Sequence, residues 1–427
     1  MSIDFSARRN ALSEKVLDDS VIVLAASSQK VRNSDADFPY RQDSSFFYLS
    51  GFNEPDSLLV IRPSAKEDNF VIFCRDRDPV REQWDGFRAG QEGAVSLFGA
   101  DKAYSYSDIN ELMPKLMDGA KNVYYSMSSP NGIEGPLSDW IATIRANTRA
   151  GSVAPESLLS LDILLHEMRL KKSPEEIAIM KKAGSITTDA HIRAMKNVRP
   201  GMYEYQLEAE YLHTFMQGGA RHPAYNSIVG GGNNACILHY VENNALLNDG
   251  DLVLIDAGCE YEHYASDVTR TFPVNGKFTD EQKAIYEVVL EAHRQSMAEI
   301  KPGNKQRSPH NKSVEVITDG LNDLGLLKED GDYTKFYMHG VGHWLGMDVH
   351  DVGNYKVDGE WRDFEPGMVM TIEPGIYILD NLEGVEDKWK GIGIRVEDDV
   401  LVTEDGFEIL TPDAPREVAD IEHLMNS

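Results

Sequence analysis

The chain has 427 residues, an apolar fraction of 41% and a formal net charge of −28. This length predicts two or three domains, and the acidity argues against nucleic acid as a ligand, because its binding needs clustered Lys and Arg. No window approaches the roughly 18 apolar residues of a membrane span, and the N-terminus MSIDFSARRN lacks the apolar core of a secretory signal. Three widely spaced cysteines give neither a disulfide framework nor a zinc motif, so a cytoplasmic location is predicted.

The first part of the chain alternates helical and strand patterns. FSARRNALSEKVL, INELMPKLM and PLSDWIATIRAN have helical spacing, whereas SVIVLAAS, SFFYLSGF, SLLVIRPS and NFVIFCRD are short β-rich runs. This alternation predicts an α/β domain. A long helix then begins at Ser173, which has capping-box spacing to Glu176 and is followed by Pro174. We therefore predict an N-terminal domain at residues 1–172 and a C-terminal domain at residues 173–427.

The C-terminal part repeats one pattern twice. In each half a long helix ends at a similar motif, RPG at 199–201 and KPG at 301–303, and a further helical stretch follows. The second long helix is predicted to begin at Thr279, which has capping-box spacing to Gln282. Each half then carries a predicted β-hairpin, the first around DAGCEYEHYASD and the second formed by MVMTIEPGIYI and GIGIRVEDDVLV. The repeated order predicts an internal duplication.

Four acidic residues lie at matching places in the two hairpins. A turn centred at 261–262 places Asp256 opposite Asp267, and the second hairpin carries Glu373 and Glu397. Like charges at opposite positions destabilise a sheet, and four partly buried carboxylates are costly unless cations neutralise them. Two divalent metal ions, about 3.5–4 Å apart in known two-metal sites, resolve this cost by sharing bridging carboxylates. Each acid alone is typical of a solvated strand end, but the matched set predicts a metal centre.

Histidines cluster in the stretch MHGVGHWLGMDVHD, which contains His339, His343 and His350, and His239 precedes the first acidic hairpin. The spacing between the first two matches that of zinc proteases, but the intervening residues do not form the HExxH motif, so that mechanism is not supported. A donor set dominated by oxygen with one imidazole favours Mn²⁺ ahead of Zn²⁺ or Co²⁺.

These blocks carry a family resemblance. LIDAGCEY, SDVTRTFPVNGKFT, HGVGHWLGMDVHDVG, MTIEPGIYI and GIGIRVEDD resemble the signature blocks of the pita-bread metallopeptidases, and most closely those of the aminopeptidase P group. YRQDSSFFYLSGFNEPDSLLVI and REQWDGFRAG are similar to the leading domain of that group. The resemblance implies an α/β N-terminal domain, which serves oligomerisation and gating, and an α+β pita-bread catalytic domain with a pseudo-two-fold duplication.

Carried over position by position, the resemblance implies a set of five metal ligands for two divalent ions. By this resemblance Asp256 would bind one metal, and Asp267 and Glu397 would bridge both. His343 and Glu373 would complete the other metal. Glu373 is also implied to handle the proton of the attacking water.

The resemblance also implies residues that contact the substrate. Histidines that line the substrate and stabilise the oxyanion of the tetrahedral intermediate would be His239, His339 and His350. Tyr377 and Arg395 occupy substrate-binding positions near the metals. Trp84 matches a tryptophan that enters a neighbouring subunit's site, so a homotetramer is implied, with a dimer as the alternative.

The implied activity is hydrolysis of the N-terminal Xaa-Pro bond of peptides with proline at the second position, by a water activated between the metals. The alternative is a prolidase, which uses the same metals to cleave Xaa-Pro dipeptides. A non-catalytic binding module on the same scaffold is disfavoured because no ligand position is lost. A serine hydrolase is disfavoured because the chain contains no G-x-S-x-G motif.

Overall fold

The structure is a computed structural model that describes residues 3–327 and 331–427. Two compact units are present, of which the first ends at His166 and the second begins at Glu167. This division lies a few residues before the boundary predicted at 172, because it falls inside a helix, Asp162–Leu170, and not in the loop that follows. Among the described residues, no helix combines the length and the apolar character that crossing a membrane requires.

The first unit is an α/β domain, as predicted. Its sheet has the order β6-β5-β4-β1-β7-β8, in which β1 pairs antiparallel with β4 and parallel with β7. The elements are α1 Phe5–Ser13, β1 Ser20–Ala25, β2 Val31–Asn33, β3 Ala36–Asp37, α2 Ser44–Ser50, β4 Leu58–Ile61, β5 Phe70–Cys74, α3 Pro79–Asp85, α4 Gly90–Ser96, β6 Lys102–Ser105, α5 Ile109–Met117, β7 Asn122–Tyr125, α6 Glu134–Ala146, β8 Ser157–Ser160 and, across the division, α7 Asp162–Leu170.

The prediction of a strand in SFFYLSGF is wrong, because these residues form α2. The side chain of Asp43 caps the helix by accepting a hydrogen bond from the N–H of Phe46. Gly51 ends it in the left-handed conformation, with φ of 64°. A short apolar run that is buried on most sides has no periodicity that separates helix from strand. Here the capping residues Asp43 and Gly51 favour the helix.

The second unit contains two helix pairs and a series of short antiparallel strands. The pairs are α8 with α9 and α10 with α11. The elements are α8 Pro174–Asn197, α9 Glu204–Gln217, β9 His222–Pro223, β10 Ile228–Gly231, β11 Leu252–Asp256, β12 Cys259–Tyr261, β13 Tyr264–Ala265, β14 Thr269–Pro273, α10 Asp280–Ala298, α11 Ser308–Asp323, β15 Lys356–Val357, β16 Glu360–Trp361, β17 Val369–Ile372, β18 Gly375–Ile378, β19 Ile392–Arg395, β20 Asp398–Val402, β21 Phe407–Ile409 and α12 Val418–Met425.

The duplication is visible in both helices and strands. α8 and α10 each begin with the predicted capping box, at Ser173 and Thr279. Each half then builds one long β-ribbon that is interrupted part-way along. In ribbon 1, β11 pairs with β14 and β12 with β13; in ribbon 2, β17 pairs with β20 and β18 with β19. The interruptions fall at 257–258 and 266–268 in ribbon 1, and at 373–374 and 396–397 in ribbon 2.

The predicted register of ribbon 1 is wrong: the turn lies one residue further along the chain, so the pairing shifts by two residues. Asp256 pairs with Thr269, not with Asp267. The turn lies at Glu262 and His263, whose φ angles are 48° and 67°. Positive φ at both central residues is the geometry of a two-residue type I′ hairpin turn, for which Asn-Gly is the usual sequence signal. That signal is missing here, so the sequence did not locate the turn.

Alternation along the strands separates a helix-facing side from a site-facing side. In β11, Val253 and Ile255 join the large apolar core that also contains Leu207 and Val289 of the helices. Leu254 lies between them and belongs to a separate cluster. Because successive side chains point to opposite faces of a strand, Asp256 shares the face of Leu254 and points away from the helix-facing core.

Candidate metal centre

The interruptions of the two ribbons are where the acidic residues lie. Asp256 ends β11, and Asp267 lies in the gap before β14. Glu373 and Glu397 occupy the two gaps of ribbon 2. Where the regular pairing of a ribbon stops, side chains need not alternate strictly between its two faces. The carboxylates can therefore turn toward a common point.

The five predicted ligands are brought together. Potential ligand atoms of Asp267, His343 and Glu397 all lie within 4.8 Å of one another. Nε2 of His343 lies 3.4 Å from Oδ2 of Asp267 and 3.7 Å from Oε1 of Glu373. Asp256 joins the group through the hydroxyl of Tyr225, which lies 2.6 Å from Oδ1 of Asp256 and 2.5 Å from Oδ1 of Asp267.

The segment that carries His343 is held tightly against ribbon 2. Nδ1 of His343 donates to the carbonyl of Trp344 at 3.0 Å, so Nε2 is the nitrogen that faces Asp267 and Glu373 and could act as a ligand. A Cβ on Gly342 would lie only 1.8 Å from the carbonyl oxygen of Thr371. Gly342 therefore allows the close approach that brings His343 to the acidic residues.

The acidic residues have too few positive partners for their charges. Burial, and then the charge of Asp256, raises the pKa of Asp267. Burial raises the pKa of Glu373 to about 7, with the charges of Asp267 and Asp256 acting in the same direction. Burial, Asp267 and Glu373 raise the pKa of Glu397 well above its ordinary value.

The pKa of His343, the predicted histidine ligand, reflects the same excess of negative charge. Burial alone would lower the pKa of His343, but the hydrogen bond to Asp267 and the charge of Glu373 raise it to about 9. The Tyr225 hydroxyl has one proton for the two carboxylates that it contacts. Divalent ions would supply the missing positive charge, so the carboxylate-rich donor set with one imidazole fits a metal site.

Two adjoining cavities open onto the acidic residues. The larger, of about 430 Å³, is lined by His239, His339 and His350 together with Asp256 and Glu373. The smaller, of about 250 Å³, reaches Tyr225, Asp267 and Glu397. The rings of His343 and His350 lie with centroids 4.2 Å apart. All three predicted substrate histidines therefore border the space beside the predicted metal ligands.

A hydrogen-bond chain links one of these histidines to the acidic residues. Nη2 of Arg395 donates to Asp256 at 2.6 Å, and Nη1 of Arg395 donates to the hydroxyl of Tyr377 at 3.0 Å. The Tyr377 hydroxyl in turn lies 2.9 Å from Nε2 of His339, whose Nδ1 lies 2.7 Å from the carbonyl oxygen of Gly340. Both nitrogens of His339 are therefore engaged. Burial, and then Arg395, lowers the pKa of His339 to about 4, so the ring is neutral.

Several residues at the centre carry no signal that the sequence reasoning used. Tyr225 bridges two acids, and the Thr269 hydroxyl donates to Oε2 of Glu397 at 2.6 Å. Asp399 accepts the backbone N–H of Asp267 at 3.2 Å. Only the pairing of the ribbons could reveal these contacts. Trp84 lies on α3 of the first unit with 83% of its surface exposed, and its role in a neighbouring subunit's site stays a prediction.

Comparison with known proteins gives a consistent result. Residues 178–404 match the metallopeptidase family M24, and residues 5–124 match the aminopeptidase P N-terminal domain. The chain is 45% identical to the Xaa-Pro aminopeptidase of Haemophilus influenzae, over 99% of this chain and 97% of that protein.

Solved structures agree with the sequence comparison. The aminopeptidase PepP of Pseudomonas aeruginosa aligns with a TM-score of 0.97 at 51% identity, covering 99% of this chain and 97% of that one. Aminopeptidase P of Escherichia coli with the inhibitor Pro-Leu aligns with a TM-score of 0.96 at 45% identity, covering 100% and 99%. The chain therefore belongs to metallopeptidase family M24, and within it to the aminopeptidase P group.

Proposed function

We propose that this chain is a metallo-aminopeptidase that cleaves the N-terminal Xaa-Pro bond of peptides. The observation that carries the proposal is a cluster of four carboxylates and one imidazole that borders a cavity lined by three further histidines. The Haemophilus relative is named for the same reaction, and the Escherichia coli structure holds a proline-containing dipeptide as inhibitor. Both cover nearly the whole of this chain, which supports transfer of the activity.

Two divalent ions would be held by the five ligands, with Mn²⁺ ahead of Zn²⁺ or Co²⁺. The set is Asp256, Asp267, His343, Glu373 and Glu397. When bound, such ions supply Lewis-acid activation of a water and of the scissile carbonyl. Four carboxylates with one imidazole form a hard, oxygen-rich donor set, which favours manganese.

Proton transfer is assigned to Glu373. Its carboxylate borders the larger cavity beside the other acidic residues, where it can reach a water that enters the site. In this role Glu373 takes a proton from the attacking water and returns it to the leaving nitrogen.

The oxyanion is assigned to His239 and His350. Both residues line the larger cavity, and within the part of the chain that the structure describes neither ring makes a hydrogen bond, so their nitrogens are available to a substrate. His339 is different, because both of its nitrogens are engaged, and we assign it the task of orienting Tyr377. Tyr377 and Arg395 then hold Asp256 in place for metal binding.

A bond that precedes proline imposes a particular recognition problem. The proline nitrogen carries no N–H, so the site cannot use a leaving-side backbone donor and must recognise the ring by shape. The free amine of the substrate is a cation, and the acidic surroundings of the site favour it. This combination suits an exopeptidase that takes an unblocked N-terminus.

We further propose a homotetramer in which Trp84 enters a neighbouring subunit's site, and a cytoplasmic location. The support for the contact is the high exposure of Trp84, 83%, on the short helix α3. Sedimentation equilibrium of wild type and Trp84→Ala tests the assembly, and cell fractionation tests the location. A wild-type monomer would refute the tetramer.

The activity is tested with a peptide panel on apo-protein that is reconstituted separately with Mn²⁺, Zn²⁺ and Co²⁺. We expect release of the first residue from Xaa-Pro-Xaa peptides, no cleavage of Xaa-Ala-Xaa, and the highest rate with Mn²⁺. Cleavage of Xaa-Pro dipeptides alone would instead identify a prolidase. No hydrolysis with any of the three metals would refute the proposal.

A further inference from the structure

His239 borders both cavities but has no support of its own. The residue is exposed, and no described residue makes a hydrogen bond to its ring. It belongs to residues 231–246, here called the His239 segment, in which a short 3₁₀ turn at Gly232–Cys236 is followed by irregular backbone. The position of the ring is therefore set by the backbone of this segment.

One buried carboxylate holds the His239 segment. Glu204 is the first residue of α9, and its side chain is fully buried. Its two oxygens accept four hydrogen bonds, all from the His239 segment: the N–H of Gly231 at 2.8 Å, Nδ2 of Asn234 at 3.1 Å, the hydroxyl of Tyr240 at 2.8 Å and the N–H of Ala245 at 2.8 Å. The N–H of Glu204 also donates to the carbonyl of Ala245 at 3.0 Å.

These contacts lie on both sides of His239. Gly231 and Asn234 precede it, Tyr240 follows it directly and Ala245 closes the segment. Within the described residues, Glu204 forms no ion pair, so its buried charge depends on these four donors and on the N-terminus of α9. The buried charge of Glu204 is therefore stabilised only when the His239 segment keeps this conformation, and the segment in turn is held by Glu204.

A second contact holds the same segment against β10. Asn243 has φ of 47° and is 2% exposed. Its Oδ1 accepts the N–H of Val229 at 3.0 Å, and its Nδ2 donates to the carbonyl of Ser227 at 2.8 Å. Ser227 follows Tyr225 closely in sequence, so the segment is fixed relative to the acidic residues as well.

We propose that Glu204 is a positioning residue that acts through His239: its four hydrogen bonds fix the His239 segment so that the exposed imidazole stays over the cavity beside the metal ligands. This inference rests on the proposed function, since it assigns Glu204 a part in the same reaction. Misplacement of a reacting group by about 1 Å can cost on the order of a hundredfold in rate, so the effect is measurable.

The structural half of the proposal is tested without catalysis. Hydrogen–deuterium exchange is measured on wild type, Glu204→Gln and Glu210→Gln, together with the histidine side-chain NMR signal that disappears in His239→Ala. Glu204→Gln keeps the shape of the side chain but replaces one acceptor oxygen by an NH₂ group, which faces donors and cannot accept their hydrogen bonds. We expect faster exchange in residues 231–246 and a shifted His239 signal, with ribbon 2 unchanged.

Glu210 provides the matched control, because it lies on the same helix and its carboxylate pairs with Arg193 at 2.5 Å, outside the His239 segment. Glu210→Gln should change neither observable. If Glu204→Gln also leaves exchange in residues 231–246 at the wild-type level, Glu204 does not hold the segment and the proposal fails, whether or not the protein is an aminopeptidase.

The kinetic half is a double-mutant cycle on the metal-loaded enzyme. We expect Glu204→Gln to lower kcat about tenfold or more, with KM changed much less. In a His239→Ala background the same substitution should change kcat by less than about twofold, because its effect passes through His239. Equal reductions in both backgrounds would show a merely structural role and overturn the proposal.

Tyr240→Phe covers the case in which Glu204→Gln does not fold. It removes one of the four hydrogen bonds, the one made by the neighbour of His239. We expect a smaller fall in kcat, about two- to fivefold, that again disappears in the His239→Ala background. A wild-type kcat in Tyr240→Phe would contradict the proposal.

Discussion

Glu397 and Asp398 are consecutive, almost fully buried carboxylates with opposite surroundings. Asp398 lies 2.8 Å from Nη2 of Arg270 and 3.3 Å from Nη1 of Arg416, and the Thr411 hydroxyl donates to it at 2.7 Å. Although burial opposes it, Arg270 holds the pKa of Asp398 below its ordinary value. Glu397 has one hydroxyl partner and faces other carboxylates, and its pKa is raised.

The difference separates a structural charge from a functional one. Asp398 begins β20 and turns to the side of the ribbon where arginines from the same unit neutralise it. Glu397 precedes it in the interruption and turns to the other side, where the described residues provide too little positive charge. The charge of Asp398 is neutralised by residues of the fold itself, whereas that of Glu397 calls for cations from outside the chain.

The largest effect is expected from removing a carboxylate on the side that needs metals. Asp267→Ala and Glu397→Ala should each abolish turnover, because each would remove one of the two ligands that are proposed to be shared between the metals. The rate of Xaa-Pro-Xaa hydrolysis and the metal content by elemental analysis are measured together. Near-wild-type activity with full metal content in either variant would refute this assignment.

Removing the cation on the other side should destabilise the fold. Arg270→Met leaves Asp398 buried without its main partner, and it also removes the hydrogen bond from Nη1 to the carbonyl of Glu397 at 2.5 Å. We expect the free energy of unfolding, from urea titration, to fall by about 3–5 kcal/mol. Arg294→Met, which breaks an exposed pair with Glu417, should cost less than about 1 kcal/mol. Similar losses of unfolding free energy in Arg270→Met and Arg294→Met would contradict the structural role assigned to Asp398.

A side chain that borders the metals without binding them gives an intermediate effect. His350→Ala should lower kcat about a hundredfold, because it removes a donor to the oxyanion, while two metal ions remain bound. Steady-state kinetics and elemental analysis on the same sample check this. Loss of metal would instead place His350 among the ligands.

The smallest effect is a pH dependence on the Asp398 side. Burial lowers the pKa of His293, which lies 3.3 Å from Oδ2 of Asp398. The unfolded chain then binds the proton more tightly than the folded protein, so stability is lost as pH falls below about 6.5. We expect His293→Gln to flatten the fall in unfolding free energy below that pH. The exposed His213→Gln should leave the slope unchanged, and an unaltered slope in His293→Gln would refute the link.

Local signals in the sequence account for much of the fold. Capping residues marked the starts of α8 and α10 correctly, at Ser173 and Thr279. The apolar alternation of β11 and the four matched acids pointed to two ribbons and to one centre. These features are readable because each depends on neighbours along the chain.

What the sequence could not give depends on contacts between distant segments. The turn at 262–263 uses positive φ without glycine or asparagine, so it was predicted one residue too early and the partner of Asp256 two residues too early. Nothing local distinguishes Asp398 from Glu397, since they are consecutive acidic residues at the junction of β19 and β20. The partners of Asp398, Arg270 and Arg416, come from separate elements. Tyr225 and Glu204 were missed for the same reason.

The contrast between neighbours is tested most directly by thermal unfolding of Glu397→Gln and Asp398→Asn, each with and without Mn²⁺. Wild type should gain in Tm on adding Mn²⁺. Metal-free Glu397→Gln should be at least as stable as metal-free wild type, because it loses a crowded acid, and Mn²⁺ should raise its Tm little. Asp398→Asn should be less stable than wild type without metal. If Mn²⁺ leaves the wild-type Tm unchanged, or if Glu397→Gln destabilises the metal-free protein as much as Asp398→Asn does, the account is contradicted.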